Sequence, residues 1–141
     1  MSEEFKKIVF FLEEHHVLSL ATSFKEELSV CSLFYAYSKE QNAFVFASSK
    51  DTTHIEHIKK NSTVAGNILL ETKEVGKIQG IQFKGEVTLL KENSLKAQYF
   101  KEFPYALALL PTLWKIEIKY FKMTDNRLGF GKKIIWKESS V

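Results

Sequence analysis

Between Ala47 and Ile55 the chain gathers Ser48, Ser49, Lys50, Thr52, Thr53 and His54. Hydroxyls donate and accept, lysine brings a fixed positive charge, and histidine can gain one near neutral pH. That set suits an anionic group, above all a phosphate. Its position strengthens the point, because Asp51, Thr52 and Thr53 are residue types that cap helix N-termini. A helix start offers free backbone N–H groups and the positive end of the helix dipole. The plainer reading is a cap that needs no ligand, and these residues alone leave both readings open.

Other chemistries find less support. His54 and His57 stand three apart with Glu56 between them, but zinc wants three or four ligands and no second ligand cluster accompanies them. No nucleophile elbow, Cys–His pairing, Walker loop, dinucleotide glycine pattern or carboxylate pair stands out. An enzyme built on this chain would draw its chemistry from a cofactor. Cys31 is the sole cysteine, so no internal disulfide can form. Its apolar surroundings predict a buried, inert thiol, and its solitude fits a reducing cytoplasm.

The elements that must position the turn follow from periodicity. Ala43–Ala47 alternates as a strand leading in, and a helix over about His54–Lys60 leads out. Ser2–His15 reads as an amphipathic helix, with Phe5, Ile8, Val9 and Leu12 on one face and Phe10 and Phe11 widening it. Val17–Phe24 and Leu28–Tyr37 form a hairpin about Lys25-Glu26-Glu27. Thr63–Leu70 is β-rich, and Ile78–Leu90 alternates well, with Gly80 and Gly85 interrupting it and suggesting bulges or a sharp bend. Asn93–Phe103 is a helix stopped by Pro104. Tyr105–Pro111 is an apolar helical turn or a loop over a pocket. Leu113–Met123 and Ile134–Trp136 are strands separated by a turn-rich stretch containing Gly129 and Gly131. The expectation is a single mainly β domain over 1–141, an antiparallel barrel of six or seven strands with peripheral helices. Ser32–Tyr35, Gln82 and Lys84 are available to line the rest of a pocket.

Composition narrows the function classes. An apolar content of 45% supports a full core. No apolar run reaches transmembrane length, and Met1–Glu14 lacks the layout of a secretory signal. The net charge of +3 rests on scattered lysines and one arginine, Arg127. Nucleic-acid readers lean on clustered arginine, so a nucleic-acid-binding barrel is the weakest reading; neither a nucleic acid nor, without such an apolar run, a membrane is the expected partner.

Three stretches carry a resemblance: IQGIQFKGEV (78–87), the pair Phe103-Pro104, and WKIEIKYFKMTDNRLGFGKKIIW (114–136). Together with the element order they resemble the pyridoxamine-phosphate oxidase-like superfamily of FMN-binding split barrels. The TDNRLGFGKKIIW stretch is similar to a small, uncharacterised bacterial branch of it. The resemblance implies a split β-barrel whose second strand, here Ser32, Leu33, Phe34 and Tyr35, lines a flavin. It implies that Ser48, Ser49, Lys50, Thr52, Thr53 and His54 hold the ribityl chain and phosphate. Thr52-Thr53-His54 stands where the family usually has Ser-Arg-Lys, which removes two fixed positive charges and leaves lysines such as Lys50 to replace them. Gln82, with Lys84, is implied to reach the flavin of a second subunit, so a homodimer with FMN at its interface is expected. Residues recognising the vitamin substrate of the oxidase itself are not found. Phe130, Lys132 and Lys133 are candidates for the substrate side. The leading expectation is an FMN-dependent oxidoreductase on an unknown small substrate. The alternative is a non-enzymatic protein binding flavin, haem or another anionic ligand.

Overall fold

Ser2 opens the first helix, α1 (Glu3–Glu14), by accepting from the Phe5 amide at 3.0 Å. Ile8, Val9, Phe11 and Leu12 are buried beneath it, while Phe10 points to solvent and does not widen the packed face as expected. The chain then runs through β1 (Val17–Phe24), β2 (Glu27–Phe34), β3 (Ala36–Ser38), β4 (Ala43–Ala47), α2 (Thr53–Lys60), β5 (Thr63–Leu69), β6 (Gln79–Leu89), α3 (Asn93–Glu102), β7 (Leu113–Asp125) and β8 (Lys133–Lys137). This computed structural model describes residues 1–139.

All strand pairs are antiparallel, in the order β2-β1-β5-β6-β7-β4-β3, with β8 also on β7. Only Tyr35 separates β2 from β3, so the two ends of the sheet are joined by the chain itself and the sheet curls into a split barrel. The expected architecture holds. The strand count is eight among the described residues, not six or seven, because the Leu28–Tyr37 run breaks at Tyr35 into two strands. The break has a local cause. The Tyr35 amide leaves the ladder to bond His16 O at 3.0 Å, and its hydroxyl donates to Leu12 O at 2.7 Å, tying the bend to the end of α1.

The barrel interior is aromatic. Phe44 meets Tyr35 and Phe83 edge-on at 4.9 and 5.0 Å, and Tyr37 at 5.5 Å, geometries that ring quadrupoles favour. On β4 the alternation divides two cores. Phe44 and Phe46 face the barrel, while Val45 and Ala47 face a smaller cluster under α3 with Leu95, Tyr99 and Leu113.

Of the two glycines expected to mark bulges, Gly85 does: the β6–β7 register shifts between Lys84 and Gly85. A Cβ there would sit 2.3 Å from Glu117 O. Gly80 lies in regular pairing with Leu69 and Thr124. Gly66 was not singled out by the pattern, yet a Cβ on it would lie 2.2 Å from Ser19 O and 2.4 Å from the Phe83 ring. The helix or loop expected over Tyr105–Pro111 is a 3-10 turn, Pro104–Leu109, with no buried residue.

Candidate functional site

The hydroxyl-rich turn is a built helix cap. Thr52 is the N-cap of α2, and its Oγ1 accepts from the Ile55 amide at 3.3 Å and donates to Ser49 O at 3.0 Å. The helix therefore starts at Thr53, one residue earlier than the sequence suggested. Ser48 Oγ lies 2.6 Å from His54 Nε2, and Thr52 Oγ1 lies 3.2 Å from the same nitrogen. Burial, and then the nearby His57, hold the His54 pKa below the ordinary imidazole value. The turn is thus organised by a neutral imidazole rather than by a fixed cation. Ser49, Lys50 and Thr53 are exposed around it. Lys59, one turn further along α2, reaches back with Nζ at 3.2 Å from Lys50 O, so two lysines flank the turn. Lys59 was not among the sequence candidates. Its distance from Lys50 along the chain hides a contact that the helix makes.

The base of the turn is clamped to β7. Ser48 N–H donates to Thr112 O at 3.1 Å, and the Trp114 indole donates to Ser48 O at 2.9 Å. Neither Thr112 nor Trp114 carries a sequence signal for this, because β4 pairs with a strand about half the chain away.

The second-strand residues separate by face. Ser32 and Phe34 point outward and are exposed. Leu33 packs partly into the barrel core, and Tyr35 lies fully inside it, its phenol pushed well above its ordinary pKa by burial and then by Glu102. Those two side chains are core residues; only their main chain borders the outer face. Cys31 shares the inward face with Leu33 but is only half-buried, correcting the expectation of full burial; its pKa is raised by partial desolvation.

Gln82 and Lys84 are also on the outer face, four strands across. The register places Ser32 beside Ser19, Ser19 beside Asn67, and Asn67 beside Gln82. Three inter-strand steps put Gln82 about 14 Å from Ser32 within one chain. Between them lies a shallow hollow of about 350 Å³ floored by Ser19, Ala21 and Ala65 and rimmed by Gln82, Lys84 and Tyr120. The Lys84 ammonium stands 5.2 Å over the Tyr120 ring.

Phe130, Lys132 and Lys133 do not join the turn. Thr124, the pairing partner of Lys133, and Leu113, the partner of Ala47, are at opposite ends of β7, on the order of 35 Å apart along the strand. Lys133 Nζ instead bonds Thr124 Oγ1 at 3.0 Å. The two α2 histidines diverge as well. His57 is buried, with Nδ1 at 2.9 Å from Thr22 Oγ1 and Nε2 at 3.5 Å from Glu27 Oε2, where it makes no hydrogen bond. It anchors α2 to the β1–β2 hairpin.

Known proteins share this architecture. A family model described as pyridoxamine 5'-phosphate oxidase matches residues 5–121. A UPF0306 protein of Photorhabdus laumondii is 38% identical over 138 residues, which span 96% of each chain. A haem-binding protein of Mycobacterium smegmatis superposes with a TM-score of 0.75 at 15% identity, over 96% of this chain and 57% of that one. An FAD-binding protein of Mesorhizobium loti superposes with a TM-score of 0.70 at 16% identity, over 87% of this chain and 94% of that one. At such identities the likeness to these two structures is one of fold.

Proposed function

The chain belongs to the pyridoxamine 5'-phosphate oxidase family, and we propose that it is an FMN-binding protein acting as an FMN-dependent oxidoreductase on a small substrate. The observation that carries this reading is the capped start of α2, where hydroxyls and helix-start amides gather and the Lys59 ammonium reaches back to the Lys50 carbonyl. The donor set fits a phosphate. Thr53 and Ser48 offer hydroxyls, Thr52 holds the cap that shapes the turn, the first amides of α2 lack intrahelical partners, and Lys50 and Lys59 supply positive charge beside the turn. His54 answers the charge differently from a fixed cation. A phosphate next to its imidazole favours the protonated form, so the residue gains its charge as the anion arrives.

The remaining residues cover and orient. Phe34 offers an apolar ring face and Ser32 a hydroxyl on the same side of β2. Gln82 stands about 14 Å across the sheet from Ser32 of its own chain, with Lys84 two residues further along β6. They are assigned here to the site of a second subunit in a homodimer. When bound, the flavin supplies hydride and electron transfer, while the protein sets its position, polarity and access.

The absorbance spectrum of the purified protein, with mass spectrometry of any released ligand and an FMN titration, tests the reading. Expected are FMN uptake and a flavin band that bleaches anaerobically with a reduced nicotinamide. A flavin that binds but resists reduction would leave a binding protein and remove the oxidoreductase. A Soret band without FMN affinity would move the site to haem, and neither chromophore nor FMN uptake would reject the proposal.

A further inference from the structure

Thr53, Glu56, His57 and Lys60 recur at helical spacing along one face of α2, turned toward the end of the β1–β2 hairpin. With Phe24, Lys25 and Glu27 of that hairpin they enclose a pocket of about 380 Å³, which shares only Thr53 with the proposed flavin site. His57 forms its buried wall and is 5% exposed. Thr22 Oγ1 holds its Nδ1 at 2.9 Å, which fixes the ring and leaves Nε2 facing the pocket. Among the described residues only two buried side-chain polar atoms have no hydrogen-bond partner, Asn42 Nδ2 and this Nε2. Leaving such a group unpaired is costly, so a ligand that pairs it is favoured.

The surrounding charges say what kind of partner is missing. Glu27 Oε2 stands 3.5 Å from Nε2 without completing a hydrogen bond. A lone pair on Nε2 would face that negative oxygen, so Nε2 carries a proton and lacks an acceptor. The Glu27 side chain is 80% exposed, an anion tethered near the right place and free to leave it. Lys25 and Lys60 hold their ammoniums 5.4 and 4.9 Å from the centroid of the Phe24 ring, and among the described residues neither makes an ion pair. Cation–π contact of this kind is weak near the surface and leaves both charges available. Lys25 also sits at a left-handed φ of 56°, a conformation that favours glycine, so the turn keeps a charged side chain where its backbone alone asks for none. Glu56, on the rim, is the remaining charge.

The geometry points to a second anion site in this pocket, for the phosphoryl group of a small molecule. The group displaces the Glu27 carboxylate, accepts from His57 Nε2–H and pairs with Lys25 and Lys60. A tetrahedral dianion presents oxygens in several directions at once, whereas the tethered carboxylate reaches neither lysine. The pocket is larger than a bare phosphate and holds part of the molecule that carries it. Glu27 is then a competitor built into the site, and Glu56 opposes binding from the rim. None of this depends on the flavin reading, since the pocket lies one helical turn along α2 from the cap.

The test titrates the full chain with inorganic phosphate at fixed pH and ionic strength, following the imidazole nitrogens by long-range 1H–15N NMR. His57 reports the pocket and His54 the cap. The proteins are the wild type, Glu27→Gln and a Lys25→Glu/Lys60→Glu double variant; all three side chains are exposed, so the core is kept, and circular dichroism checks it. Thr53 is left intact because it lines both sites. Expected is a saturable shift of His57 Nε2 with phosphate and none with acetate. Glu27→Gln should tighten that response roughly threefold and the double variant weaken it roughly tenfold, while the His54 midpoint stays within about twofold. No saturable His57 shift in either the wild type or Glu27→Gln overturns the site. So does a His57 response that shares the His54 midpoint in every protein, which gives the phosphate to the cap. Acetate acting as well as phosphate overturns the phosphoryl assignment. A Glu27→Gln variant that binds phosphate no more tightly makes Glu27 the lasting partner of His57 and overturns its displacement.

Discussion

Replacing Thr52 and Thr53 by alanine, one at a time, separates the structural use of the α2 cap from its use in binding. Thr52 Oγ1 holds the Ile55 amide, Ser49 O and, at 3.2 Å, His54 Nε2. Losing an N-cap of this kind costs about 1 kcal/mol, and in a domain of this size that lowers the Tm by about 4 °C. Thr53 is exposed at the first helical position. Alanine has the better helix propensity, so Thr53→Ala should leave the Tm unchanged or slightly raised. Binding should reverse the emphasis. A hydrogen bond to a charged phosphate is worth about 2 kcal/mol, so Thr53→Ala should weaken FMN binding roughly 30-fold without loss of fold. Thermal denaturation of the apo variants and FMN titration of the same samples supply both numbers. Equal losses of Tm in the two variants would refute the cap assignment. An FMN titration of Thr53→Ala that overlays the wild type would remove Thr53 from the phosphate site.

Two further predictions concern the scaffold. Gly66→Ala should lower stability by about 3 kcal/mol, since its Cβ meets the Ser19 carbonyl as well as the Phe83 ring and the sheet must shift; a chemical denaturation midpoint within error of the wild type would show that β1, β5 and β6 are not packed as described. Asp125 is buried and takes two hydrogen bonds from the Arg127 side chain, at 3.0 and 2.9 Å, which hold its carboxyl below the ordinary carboxylate pKa. Because the folded-state pKa is the lower one, the contribution is full above the unfolded value near 3.9 and is lost as pH falls through the folded value. Arg127→Ala should therefore cost about 2 kcal/mol at pH 7 and progressively less in acid, and a pH-independent loss in urea titrations would sink that account.

Much of this molecule was legible one element at a time. Two-residue alternation marked the strands, and the hydroxyls before Ile55 marked a helix start, because both signals are carried by neighbours in sequence. The resemblance of 78–87 and 114–136 reached the family, which the match over residues 5–121 then established. What sequence did not carry was long-range. Phe130, Lys132 and Lys133, the candidates for the substrate side, lie at the opposite end of β7 from the turn of their own chain, and sequence holds no measure of distance along a paired strand. Tyr35 was grouped with Ser32 and Phe34, but the bend tied to His16 and Leu12 turned its ring into the core.

The turn from Ser48 to His54 shows the division most clearly. Sequence alone determined its chemistry, a set of hydroxyls, a lysine and a histidine at the start of a helix. Only the tertiary structure decided that His54 is a partly buried, neutral partner of Ser48, that Lys59 folds back beside Lys50, and that Trp114 and Thr112 clamp the turn to β7. The physical reason is that residue type sets which groups can donate or carry charge, whereas burial and the approach of distant strands set which of them do.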